Sequence, residues 1–360
     1  MSSKIVQWVG LIYVVATVPL VFTVISNSIK SAEYFTSSIQ KDKKGNYQGA
    51  LTDINHAVEL NPNNAKLYIN RGVLKIKLND VQGALADYNR LIEIEPNDAS
   101  NYAKRGLLKE EKLNDLQGAL SDYNRVIEIE PNDDSWYILR GVLKIKNNDF
   151  QGALVDYNHA IQIKPNDASR YSRRGALKGL INDREGELAD YNRAIQIDPS
   201  DASVYQLRGL LKGQLNDREG ALVDYNRVIQ IDPSDVDTYV IRGKIKTELD
   251  DPQGALADYN RAIQIKPNDA YVYERRGKLK EELNDDRGAL ADYNRAIQIK
   301  PNDADAYVSR GVLKFLKLSD SSGAINDMKQ AVKLSQQYGD TISTSAAIYM
   351  LKQWQQTSGD

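Results

Sequence analysis

Apolar and polar positions along this chain follow two different rhythms. From Ile5 to Ile25 the stretch IVQWVGLIYVVATVPLVFTVI carries no charge for 21 residues. At about 1.5 Å of rise per residue a helix of that length spans roughly 30 Å, the hydrocarbon thickness of a bilayer. Further on, Tyr68, Arg71, Gly72 and Lys75 fall at i, i+3, i+4 and i+7 and predict one face of a helix, while Ala84, Tyr88, Leu91 and Ile92 predict one face of a second. Between them LND predicts a turn with Asp80 as the helix cap, and the equivalent Asp251 precedes Pro252, a residue suited to the first helical position. In EPNDA, Pro96 ends the second helix and Asp98 offers a cap to the next. The pattern recurs. Pro62, Pro96, Pro131, Pro165, Pro199, Pro233, Pro267 and Pro301 follow one another every 34 residues, with one step of 35, so each unit is read as a helical hairpin.

This spacing resembles the tetratricopeptide repeat (TPR), whose signature is Trp-x2-Leu-Gly-x2-Tyr, then Ala-x3-Phe, then Pro. Here it stands as Tyr68-x2-Arg71-Gly72-x2-Lys75, Ala84-x3-Tyr88 and Pro96. The pentatricopeptide pattern, a 35-residue repeat that reads RNA, fits the period and the Ala, Tyr and Pro slots less well. Eight full units occupy residues 65–338. A divergent one at 31–64 keeps Tyr34, Ala50, Asp53, Ala57 and Pro62 but has Ser37 and Ser38 where the others have Arg-Gly. The resemblance implies an all-α fold, a right-handed α-solenoid superhelix of stacked hairpins with first helices lining a concave groove. An open array leaves apolar ends in water. Residues 31–64 are expected to cap one end, and a helix within 339–360, with Ile342, Ala346, Tyr349, Met350 and Trp354 on one face, to cap the other.

Charge changes the picture little in bulk: 47 Lys and Arg face 49 Asp and Glu, so no net field draws the chain to a polyanion. Its placement matters more. Asp53, Asp87, Asp122, Asp156, Asp190, Asp224, Asp258, Asp292 and Asp327 recur three residues after the small slot of the second helix and look toward the Arg stripe of the first helices. An internal ladder of Arg–Asp pairs is expected, within one unit or between neighbours, in place of a basic binding track. Most of the 21 tyrosines fill core slots. Glu187 stands where other units have Ala and must be paired or reach water. Two units carry one extra residue, around Glu110–Lys112 and Phe315–Lys317, expected to lengthen or bulge the hairpin. There is no cysteine, and the two histidines, His56 and His159, sit on an exposed slot far apart in sequence. With no nucleophile–base pair, metal cluster or phosphate loop, neither an enzyme nor a cofactor is expected, and neither a small-molecule substrate nor nucleic acid as partner.

Function is therefore sought in first-helix residues off the packing stripe: Lys66, Ile69, Val73 and Ile76; Ser135, Ile138, Val142 and Ile145; then Lys244, Glu274, Arg275 and Lys278. They predict a groove for a protein or peptide ligand, apolar early in the chain and charged later. Residues 1–30 are read as a single-pass transmembrane anchor, kinked at Pro19, with a membrane as partner through Ile5 to Ile25. Lys30, Lys41, Lys43 and Lys44 after it place the repeats in the cytoplasm. The alternative is a signal peptide cut at Ser26-Asn27-Ser28, which would release a secreted or periplasmic module. The expected function is a membrane-anchored scaffold for protein–protein interaction, similar to bacterial, notably cyanobacterial, arrays that assist assembly of membrane complexes.

Overall fold

A computed structural model describes residues 2–338 and 348–354, with side chains described for 23–337 and 348–354. Among the described residues every element is a helix. The chain divides into two compact units, Met1–Asn182 and Asp183–Asp360. The first holds α1 (Ser2–Lys43), α2 (Tyr47–Leu60), α3 (Ala65–Lys77), α4 (Val81–Ile94), α5 (Ala99–Lys112), α6 (Leu116–Ile129), α7 (Asp134–Lys146), α8 (Phe150–Ile163) and α9 (Ala168–Leu180). The second holds α10 (Arg184–Ile197), α11 (Ala202–Gln214), α12 (Arg218–Ile231), α13 (Val236–Glu248), α14 (Pro252–Ile265), α15 (Ala270–Glu282), α16 (Asp286–Ile299), α17 (Ala304–Leu316) and α18 (Ser321–Tyr338), followed by a short helix at 348–354.

The hairpins are set by their turns. Asn79 takes φ 62°, the left-handed region that asparagine tolerates, and Asp80 then caps α4 by accepting the Gly83 N–H at 2.9 Å. Asn216 with Asp217 and Asn284 with Asp285 repeat this at α12 and α16. The two one-residue insertions are absorbed in the same turns. The Asp80 N–H bonds the Lys75 carbonyl, whereas Asp115 and Asp320 reach one residue further back to Lys109 and Lys314, the same slot of the repeat. Inside most hairpins the first-helix glycine admits a tyrosine of the second helix, and in the last Gly311 admits Met328 instead. A Cβ on Gly72 would lie 2.7 Å from Tyr88 Cε1, and one on Gly141 2.6 Å from Tyr157 Cε1.

The first hairpin reaches the same packing with hydroxyls. Ser31 and Ser38 are buried on α1 and donate to the Ala57 and Ala50 carbonyls of α2 at 2.8 and 2.9 Å. The expected boundary between an anchor at 1–30 and a repeat from 31 falls inside α1, which runs unbroken from Ser2 to Lys43. The single-pass membrane placement, with its transmembrane helix and its membrane contact through Ile5 to Ile25, is corrected. A span needs about 20 consecutive apolar residues, and among the described residues no helix is long and apolar enough to cross a membrane. Most of the Ile5–Ile25 run lies outside the described side chains; the described part of α1 carries Asn27, Lys30 and Glu33 and packs on α2.

At the other end the expected cap is described in part. Trp354, 9% exposed, stacks on Phe315 with ring centroids 4.2 Å apart and planes at 8°, and Met350 and Leu351 join it against Met328 and Ala331 of α18. The packed face is 350, 351 and 354, which turns Tyr349 outward at 66% exposure. Ile342 and Ala346 lie outside the described residues.

Candidate functional site

The recurring basic motif is consumed by the fold. Arg71 on α3 donates from Nε and Nη2 to Asp87 on α4, its own hairpin, at 2.6–3.1 Å, and from Nη1 to Asn55 on the preceding α2 at 3.2 Å. Lys75 joins Asp87 at 2.9 Å. The second unit repeats it: Arg242 bonds Asp258 at 2.5 and 2.9 Å and reaches back to Asn226 at 2.8 Å, with Lys246 at 2.9 Å from the same carboxylate. All three guanidinium nitrogens have partners and the carboxylates are buried, so the bidentate geometry that could grip a phosphate is already used. The open choice between own and neighbouring unit is thereby resolved: the aspartate is the hairpin's own, and an asparagine, unforeseen in the sequence, ties it to the preceding repeat. In the divergent first hairpin Lys41 and Ser37 take the arginine's place at 2.7 and 2.6 Å from Asp53. Burial pushes that carboxyl up, but the bonds from Lys41 and Ser37 outweigh it and hold it below the usual carboxylate range.

Two charged intrusions are likewise satisfied. Glu187, 7% exposed, accepts from Arg184 at 2.9 Å and from the Tyr191 hydroxyl at 3.3 Å. Asp134 stands at the start of α7 where α3 and α5 have Ala65 and Ala99. It is fully buried between Arg170 at 2.5 Å and Lys164 at 2.6 Å.

The predicted groove residues divide. In the first unit Ile69 and Ile76 pack against the hydrophobic core beside Tyr68 and Tyr88, and Ile138 and Ile145 pack against Tyr157 and Leu177. Val142 is half-buried; Lys66, Val73 and Ser135 stay exposed, with the Lys66 ammonium 5.4 Å above the Phe35 ring. In the second unit Lys244, Arg275 and Lys278 come together around a depression of about 180 Å³ with Glu248, Tyr259 and Glu282. Glu274 does not line it; this half-buried carboxyl is pushed up by burial first and by Asp303 next. The Arg275 guanidinium lies 4.6 Å from the Tyr271 ring centroid, and its buried Nε has no hydrogen-bond partner.

Adjoining this depression is an apolar one that the sequence reading missed. Leu207 and Leu210 of α11, Tyr225 of α12 and Ile241 of α13 wall a hollow of about 400 Å³. A second hollow of about 330 Å³ shares Leu210, Tyr225 and Ile241 with it and Lys244 and Glu248 with the basic depression. The three form one furrow along α11, α13 and α15. Leu207, Leu210 and Ile241 are 37, 53 and 40% exposed, while α11 buries Val204, Tyr205 and Leu211 on its other side. Nothing stands within 4 Å of a Cβ built on Gly213, so the furrow floor is open there. The signal was present at Leu210, which holds the slot of Val73. Ile241 stands exposed beside Val240, which is buried. Among the described residues no cluster of His, Asp or Glu could hold a metal ion.

Family models for the tetratricopeptide repeat match residues 41–99, 202–235 and 236–269, and another described as a TPR repeat matches 282–317. No curated protein matches the chain. Among solved structures, the C-terminal part of a TPR repeat-containing protein from Cytophaga hutchinsonii is similar with a TM-score of 0.56 at 15% identity, over 67% of this chain and 98% of that one. A tetratricopeptide repeat protein from Parabacteroides merdae gives 0.47 at 22% identity, over 70% and 99%. Yeast Tom70 gives 0.44 at 15%, over 91% and 96%. The first likeness is one of fold, and it agrees with what the hairpins show by themselves: a 34-residue period, a Gly–Tyr contact inside most units, and a proline closing all but the last. The chain belongs to the tetratricopeptide-repeat family.

Proposed function

We propose that this chain is a non-catalytic scaffold that holds another protein by an extended segment laid in the furrow of α11, α13 and α15. The observation that carries the reading is the exposed trio Leu207, Leu210 and Ile241 in a concavity large enough for one or two apolar side chains, continuous with a basic end at Lys244, Arg275 and Lys278. Apolar surface held in a concave site gains by being covered, and the cationic end at Lys244, Arg275 and Lys278 favours an acidic side chain. The fitting ligand has an apolar anchor followed by an acidic side chain. In the first unit the exposed Lys66, Val73 and Ser135 are the groove positions that remain open to a partner.

A displayed library of random peptides, selected on the full chain, tests this. The selected peptides should share an apolar residue followed by an acidic one, and Leu210→Glu with Ile241→Glu should weaken them at least about tenfold, as loss of a central anchor does. Peptides that bind the double variant as well as the parent would place the site elsewhere.

A further inference from the structure

The outer rims of the second helices carry a charge pattern that the furrow does not use. At four equivalent exposed or half-exposed positions α4 and its following turn hold Arg90, Glu93, Glu95 and Asp98, and α6 holds Arg125, Glu128, Glu130 and Asp133. That is one cation against three anions in each. The same positions of α14 are Arg261, Gln264, Lys266 and Asp269, and of α16 Arg295, Gln298, Lys300 and Asp303, two cations against one anion. Local pairing leaves the surplus clear. Arg90 is held by Glu93 at 2.8 Å and Arg125 by Glu128 at 2.9 Å, so the charges of Glu95, Asp98, Glu130 and Asp133 remain, bonded to neutral donors only: Asp98 and Asp133 accept the Ser100 and Ser135 N–H as caps, and Glu130 and Glu95 accept from Trp136 and Asn101 at 2.7 and 3.5 Å. Lys266 is held by Asp269 at 2.8 Å and Lys300 by Asp303 at 2.9 Å, so Arg261 and Arg295 remain, bonded to the neutral amides of Gln264 and Gln298 at 3.3 and 2.7 Å. On α18 the exposed Lys329 and Lys333 extend the basic side.

We infer that these rims are the two halves of one interface between copies of this chain, the acidic α4–α6 rim of one molecule seated against the basic α14–α16–α18 rim of another. The partner is a second copy because one chain carries both complementary surpluses, and each recurs once per repeat: Glu95 and Glu130 at one slot, Arg261 and Arg295 at another. Successive carboxylates and successive guanidiniums are therefore set one repeat apart on both rims, and two such rows meet in register. Ala257 and Ala291 are exposed beside the arginines and leave room for close approach, and the tyrosines of α14 and α16, Tyr259 and Tyr293, are buried, so these two helices offer a nucleic-acid base no ring to stack on. Exposed pairs are individually weak, so the association depends on several acting together and on low ionic strength.

Sedimentation equilibrium of the full chain reads it. The weight-average mass should rise above the monomer where the screening length is about 30 Å, near 0.01 M salt, and return to the monomer where it is about 3 Å, near 1 M. The variants Glu95→Lys with Glu130→Lys, and Arg261→Glu with Arg295→Glu, should each stay monomeric at low salt, with helical circular dichroism intact because all four side chains are at the surface. Mixed together, they should associate again. A monomeric parent at low salt, variants that associate as the parent does, or a mixture that stays monomeric would each overturn the inference. So would association that disappears after nuclease treatment, which would assign the basic rim to nucleic acid.

Discussion

Asp134 is the residue on which the first unit's middle turns most sharply. Burial pushes its carboxyl up, and the bonds from Lys164 and Arg170 more than reverse this, so it titrates below the ordinary carboxylate. A carboxyl depressed in the folded state contributes stability that is complete above its unfolded value, about pH 4, and is lost as pH falls through the folded one. Asp134→Asn should therefore destabilise the protein by about 3 kcal/mol at neutral pH, since it leaves buried charge without its partner. The deficit against the parent should shrink as urea titrations are repeated below about pH 4; a deficit constant with pH would show that packing and not charge is at stake. Residue-level legibility is uneven for a physical reason. Arg71 and Asp87 could be assigned to facing stripes from helical spacing alone, but in a repeating chain each arginine has an aspartate on either side in sequence, and only the stacking decides between them. Asn55 and its equivalents recur as strictly, yet nothing in a polar residue at a half-exposed position marks it as a bond to the next repeat. Glu187 drew notice by breaking a slot of identical alanines, whereas Asp134 broke a slot that already varied.

At the scale of the element, the turns carry the most direct test. Among the described residues, seven of the eight non-glycine residues at positive φ are Asn or Asp, and the eighth is Ser319 at φ 54°, between α17 and α18. Serine lacks the enrichment in this region that asparagine has. Ser319→Asn should raise the urea midpoint of the second unit by the equivalent of about 0.5 kcal/mol without changing the m-value; a fall would mean that the hydroxyl has a role that the turn geometry does not reveal. Helix positions and caps were readable because Asx caps, left-handed asparagines and the Gly–Tyr contact are short-range requirements. The furrow was readable only in part. Its exposed wall at Leu207 and Ile241 uses a slot filled by Asn70 and Lys104 in earlier units, and whether such a slot opens to solvent depends on the spacing of neighbouring first helices. The apolar start of the chain misled in another way: hydropathy marked its length, but not that the same helix runs on to become the first arm of a hairpin.

For the whole molecule, stability in a repeat array is a sum of local units and their interfaces, and the ends are where an interface is missing. The last described helix supplies one through Trp354 on Phe315. Trp354→Ala should cost about 3 kcal/mol, read as an earlier urea transition of the second unit with increased binding of an apolar dye; an unchanged transition would show that the short helix is not the seal. The cross-repeat bonds have a further property. Arg71 to Asn55, Arg105 to Asn89, Arg140 to Asn124, Arg242 to Asn226 and Arg276 to Asn260 all run from a later helix to an earlier one. On a ribosome adding about 5–20 residues per second, each arginine thus emerges to find its asparagine already made, and its own hairpin's aspartate follows within 16 or 17 residues. These bonds can be made in the order in which the chain is written; α7 is the exception, since its buried Asp134 waits for Lys164 and for Arg170 of the following repeat.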